Sequence, residues 1–136
     1  MQRKEILLIE DDHALGASIS EYLKLAHTVS WATSADDAFK ALAHHKFDIA
    51  IVDLALGPDS AVTLLKALKR FGKPIPPLII CSAQPIGMIR EAVEQTGAMI
   101  ALQKPCSCKV INEAIDLLTR QPNKIGAPVV ETKRLS

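Results

Sequence analysis

The 136-residue sequence predicts an α/β domain, a parallel sheet covered on both faces by amphipathic helices. Two observations carry this. Short continuous apolar runs recur along the chain, the mark of strands buried on both faces. Between them lie stretches of roughly 10 to 15 residues with helical spacing, long enough for the right-handed crossovers that join parallel strands. With 49% hydrophobic residues, the chain has ample material for one packed core.

The elements follow in order. Ile6-Leu7-Leu8-Ile9 is the first strand, and Leu15, Ile19, Tyr22, Leu23 and Ala26 recur at helical spacing after it. Thr28 to Ala32 alternates β-favouring residues. Ser34, with Asp37 three residues on, resembles a capping box opening a helix whose face is Ala35, Ala38, Phe39 and Leu42. Phe47 to Val52 is a strand stopped by Asp53, and Asp59 or Ser60 is the expected cap of a helix carrying Ala61, Leu64, Leu65 and Leu68. Leu78 to Cys81 is the fourth strand. Ile86, Ile89, Val93 and Thr96 mark a helix ended by Gly97. Ala98 to Leu102 is the fifth strand, and Ile111, Ala114, Ile115 and Leu118 line the last helix. Residues 121–136 have no convincing period and read as a tail or the start of a linker after a domain of residues 1–120.

Composition removes several classes of function. Sixteen basic against fifteen acidic residues give no global field toward nucleic acid or an anionic membrane. No uncharged stretch approaches the ~20 residues needed to span a bilayer. The three cysteines, Cys81, Cys106 and Cys108, form no secreted-type framework and read as reduced thiols of a cytoplasmic protein. Cys106-x-Cys108 has no further ligands at useful spacing for a metal.

In an open parallel sheet, ligands bind beyond the carboxyl ends of the strands. Here those ends carry Glu10-Asp11-Asp12, Asp53, Ser82 and Lys104. Clustered carboxylates repel unless a hard cation sits among them, and an oxygen-only site suits Mg²⁺. A carboxylate beside that cation is a nucleophile for phosphorus, forming an acyl phosphate. Lys104 is placed to hold phosphoryl oxygens as a point charge and Ser82 to donate a hydrogen bond to them. An acidic doublet at a strand end also serves as a helix cap, the reading given to Asp36-Asp37 and to Asp12. Four such groups at the ends of four separate strands favour chemistry.

At this point the chain resembles the receiver domains of two-component response regulators, over about residues 5 to 120. Ile6 to Asp12 resembles their opening strand with its acidic pair, placed by spacing on Glu10 and Asp11. Phe47 to Asp53 resembles the strand that ends in the phosphoacceptor. Ser82-Ala83 resembles the switch hydroxyl and its small neighbour, and Lys104-Pro105 the Lys-Pro pair, whose peptide bond is usually cis. The resemblance implies a flavodoxin-like three-layer sandwich with five strands in the order 2-1-3-4-5 and five helices. It implies Mg²⁺ held by Glu10, Asp11, Asp53 and the backbone carbonyl of Ala55. It further implies phosphorylation of Asp53 by a histidine kinase or phosphotransfer protein, a change of partner preference on the face of the fourth helix, fifth strand and fifth helix, and no separate substrate to turn over.

The sequence departs from that pattern on the output side. Ala101 stands where the family has its aromatic switch, Cys106 follows Lys-Pro, and Leu56-Gly57-Pro58-Asp59-Ser60 replaces the usual loop after the phosphoacceptor. Signalling is therefore expected to rely on repositioning around Ser82 to Met88. A receiver that docks without phosphorylation is one alternative. A haloacid-dehalogenase-like phosphatase is opposed by Ala55, where that family has a second Asp, and by the early position of Glu10-Asp11. Sixteen residues after position 120 leave no room for a helix-turn-helix, so no nucleic-acid binding by this chain is expected.

Overall fold

The computed structural model describes residues 2–54, 58–120 and 129–132. Its elements are β1 (Glu5–Ile9), α1 (His13–Leu23), β2 (Thr28–Ala32), α2 (Ala35–His44), β3 (Ile49–Val52), α3 (Pro58–Arg70), β4 (Leu78–Ser82), α4 (Ile86–Thr96), β5 (Ile100–Gln103), α5 (Cys108–Arg120) and β6 (Val129–Thr132). All pairings are parallel, and the sheet order is β2-β1-β3-β4-β5-β6. The five strands expected from the sequence are present in the order 2-1-3-4-5, with five helices among the described residues.

Alternation along the strands divides the core into two layers. Leu7, Ile9, Ala50, Val52, Ile80 and Ala101 face α2, α3 and α4. Ile6, Leu8, Ile49, Ile51, Ile79, Cys81, Ile100 and Leu102 face α1 and α5. The central strands β1, β3 and β4 are buried almost throughout, and β2 at the edge alternates. That is why the first kind reads as an unbroken apolar run and the second as an alternation.

Several boundaries differ from expectation for local reasons. The third strand begins at Ile49 rather than Phe47, because Asp48 turns its carboxylate to accept the Glu5 N–H at 2.8 Å. The third helix begins at Pro58, which puts Asp59 and Ser60 in its first turn; proline suits that first position because its missing N–H has no helical partner. Asp36 and Asp37 likewise lie inside the first turn of α2, where they favour the helix dipole, and the cap is Ser34, which accepts the Asp37 N–H at 3.1 Å. Gly97 closes α4 with φ 72°, a left-handed conformation that suits glycine.

Residues 129–132, part of the expected tail, pair with the outer edge of β5, Ile100 opposite Val129 through Gln103 opposite Thr132. The edge of β5 offers unpaired N–H and C=O groups, and Val-Val-Glu-Thr contains three β-branched residues. Among the described residues, no helix is long and apolar enough to cross a membrane.

Candidate phosphoryl and metal site

Strand register builds the site. Ile9 pairs with Val52, so the next residues, Glu10 and Asp53, emerge together, and the Asp53 N–H donates to the Ile9 carbonyl at 3.1 Å. Ser82 pairs with Gln103, and the Lys104 N–H donates to the Ser82 carbonyl at 2.7 Å. The Lys104–Pro105 peptide bond is cis. The Lys104 side chain then runs along the edge of the sheet, where its Nζ donates to Glu10 Oε1 at 2.9 Å and to Asp53 Oδ2 at 2.8 Å. Glu10 and Asp53 are buried, with 1% and 4% of their surface exposed.

The acidic run splits three ways. Glu10 points inward, and Asp11 stays exposed at the rim. Asp12 caps α1, its Oδ1 accepting the Leu15 N–H at 3.0 Å. Carboxylate oxygens of Glu10, Asp11 and Asp53 all lie within 4.8 Å of one another. The donors are all hard oxygens gathered at one point, so the set fits a cation such as Mg²⁺. Three carboxylates against one ammonium leave two formal negative charges when all are ionised. One divalent cation balances that charge.

The electrostatics follow from the crowding. Burial, together with the nearby Asp53, raises the Glu10 carboxyl from its ordinary 4.5 to about 7, against the pull of Lys104. Burial works against the charge on Lys104, but its hydrogen bonds to Asp53 and Glu10 and the charges of both outweigh that cost and hold its pKa above the usual lysine value.

Residues 6–116 match the response regulator receiver domain family. The chain belongs to that family. Response regulator protein PmrA of Pseudomonas aeruginosa is 32% identical over 124 residues, which cover 90% of this chain and 56% of PmrA. The sensory/regulatory protein RpfC of Xanthomonas campestris pv. campestris is 30% identical over 85% of this chain and 17% of its own. The chain thus spans about half, or less, of these curated relatives. A solved response regulator from Burkholderia pseudomallei, with a phosphorylated aspartic acid, calcium ion and citrate, is 25% identical with a TM-score of 0.68, covering 88% of this chain and 75% of that one.

On the other side of this receiver domain, Ser82 ends β4 fully buried, its Oγ accepting the Gln84 N–H at 3.0 Å. Gln103 Nε2 donates to the Gln84 carbonyl at 3.2 Å, tying that loop to β5. Ala83 and Pro105 are exposed, and Ala101 is fully buried in the layer shared with α4. Ala55 lies outside the described residues.

Sequence reasoning missed Trp31. Its indole Nε1 donates to the Glu10 carbonyl at 2.8 Å, and its ring meets His13 edge-on at 5.8 Å. Gly16 makes room for it: a Cβ there would lie 2.2 Å from the indole. A lone tryptophan on an edge strand carries no local pattern that points to a carbonyl 21 residues away.

Proposed function

We propose that Asp53 is the phosphoacceptor of this receiver domain and that its phosphorylation by a histidine kinase or phosphotransfer protein switches partner binding. The observation that carries the reading is the buried Asp53 carboxylate held by Lys104 at 2.8 Å within a three-carboxylate cluster. Support comes from the Burkholderia pseudomallei relative, described with a phosphorylated aspartic acid and a calcium ion.

Glu10, Asp11 and Asp53 would hold Mg²⁺, with the Ala55 carbonyl as the further protein ligand. Bound there, the cation supplies charge neutralisation between the carboxylates and the phosphoryl oxygens. Asp53 attacks phosphorus through a carboxylate oxygen. A P–O bond forms as the P–N bond to the donor's imidazole breaks, and the electron pair leaves on the imidazole, whose other nitrogen carries the proton. Lys104 pairs with the phosphoryl oxygens, exchanging a carboxylate contact for a phosphate contact without leaving the site. Ser82 turns its hydroxyl to donate to a phosphoryl oxygen and gives up the Gln84 N–H that it accepts, which frees the loop 83–85 and the first turn of α4, as far as Met88, to move. With Ala101 in place of an aromatic, that loop carries the output. Phosphorylation here is a modification of the chain itself, with no separate substrate.

The test is incubation with acetyl phosphate and Mg²⁺, followed by intact mass. Wild type gains one phosphoryl group and Asp53→Asn gains none. Absence of an adduct in wild type overturns the reading and leaves docking without phosphorylation.

A further inference from the structure

Cys81 and Cys106 are 25 positions apart, yet their Sγ atoms lie 3.2 Å from each other. Cys81 is buried in β4 directly before Ser82, and the half-buried Cys106 follows Lys104-Pro105. A disulfide bond is ~2.05 Å long, so a shift of about 1.2 Å closes the gap. The Lys104 N–H already bonds to the Ser82 carbonyl, so the covalent tie would reinforce an existing junction between β4 and the lysine turn.

We propose that Cys81 and Cys106 are a redox-modification site, in which hydrogen peroxide converts the pair to an intramolecular disulfide. Cys106 reacts first, being the more exposed; its hydrogen bond to Cys81, then burial, pushes the Cys81 thiol well above the usual range. The Cys106 thiolate attacks one peroxide oxygen, and the O–O bond breaks to give a sulfenic acid and hydroxide, which takes a proton to become water. The Cys81 sulfur then attacks Cys106 Sγ. The S–O bond breaks, and the departing hydroxide leaves as water with the Cys81 proton. In sum, two thiols and one peroxide give one disulfide and two waters; the sulfurs lose two electrons and the peroxide gains them. Cys108 opens α5 at the next turn and takes no part.

The tie joins the neighbours of Ser82 and Lys104, removing freedom that Ser82 needs to turn from the Gln84 N–H onto a phosphoryl group. This consequence, unlike the disulfide, rests on the phosphoacceptor reading of Asp53.

The experiment treats the full chain with hydrogen peroxide, alkylates the remaining thiols and maps them by mass. A Cys81–Cys106 linkage is expected, with Cys108 alkylated; the chain is lighter by two hydrogen atoms before alkylation. Cys108→Ser keeps the linkage, and Cys106→Ser abolishes it without touching the buried Cys81. A Cys106–Cys108 bond, a linkage between chains, or three alkylated thiols overturns the site. The oxidised chain then meets acetyl phosphate and Mg²⁺. Adduct formation slows roughly threefold or more, as expected when positioning is lost, recovers with dithiothreitol, and does not change on peroxide treatment of Cys106→Ser. An unchanged rate in the linked chain overturns the regulatory consequence alone. Absence of adduct in the reduced chain overturns the phosphoacceptor reading, while the mapping still decides the disulfide.

Discussion

Around β1 and β3 the carboxyl edge of the sheet is ionic, with Glu10 and Asp53 buried and held by one ammonium at 2.9 and 2.8 Å. Beyond the Lys104 ammonium, the groups that join β4 to β5 are neutral. Ser82, Gln84 and Gln103 are joined by single hydrogen bonds of 3.0 and 3.2 Å, two thiols lie in contact, and a small alanine fills the inner face of β5. The difference separates two demands. Phosphoryl chemistry fixes charge type and position to within a few tenths of an ångström, so a receiver domain has little latitude there. Reading the result requires only an element with two arrangements, and many side chains supply one.

Removing the bridging ammonium should have the largest effect. Lys104→Ala leaves Glu10 and Asp53 buried against each other, and breaking a buried pair in this way costs about 3–5 kcal/mol. Chemical denaturation measures the loss, and the acetyl phosphate adduct should form at least ~10-fold more slowly. A loss below about 0.5 kcal/mol would place this pair with exposed ones such as Arg120–Asp116, and the contrast between the two sides would collapse.

Restoring an aromatic tests the neutral side. Ala101 is fully buried among the residues that pack α4 on the sheet. Ala101→Phe should therefore overpack the layer and destabilise by about 1–3 kcal/mol. An unchanged midpoint would mean that α4 has room to swing outward.

The ionic side also titrates. A carboxyl whose pKa is higher folded than unfolded stabilises the fold while protonated. Glu10 rises from 4.5 to about 7, so its contribution is fully present below pH 4.5 and is lost as pH climbs toward 7. The stability of the metal-free protein should fall across that window relative to Glu10→Gln, whose amide keeps the neutral form. Urea midpoints at pH 5 and 7.5 for both proteins measure the difference; parallel curves would mean Glu10 is ionised throughout.

Legibility in the sequence follows the same division. The central strands could be read because burial on both faces leaves an apolar run, and the acidic site because strand ends converge whatever the loops do. Glu10, Asp53 and Lys104 needed only strand ends to be found together. The pairing of Val129–Thr132 with β5 was not legible, since it rests on backbone hydrogen bonds at an edge and no side-chain period announces it. The contact of Cys81 with Cys106 was hidden for a related reason. It depends on how the turn after Lys104 folds back on β4, and spacing along the chain holds no trace of that.

The smallest expected effect concerns the tie between Gln103 and Gln84. Gln103→Ala removes one partly buried hydrogen bond, worth about 0.5–1 kcal/mol, and leaves every charged group in place. The global midpoint should barely move. The loop after Ser82 loses its anchor to β5, so hydrogen exchange at the Gln84 and Ala83 amides should quicken while exchange across β1 and β3 stays the same. Uniform quickening along the sheet would mean that the two sides open as one unit, and the neutral side could not then be a separately movable element. Confinement to the loop 83–85 and the first turn of α4 would mark that segment as the softest part of the carboxyl edge, the part that a phosphoryl group on Asp53 would move first.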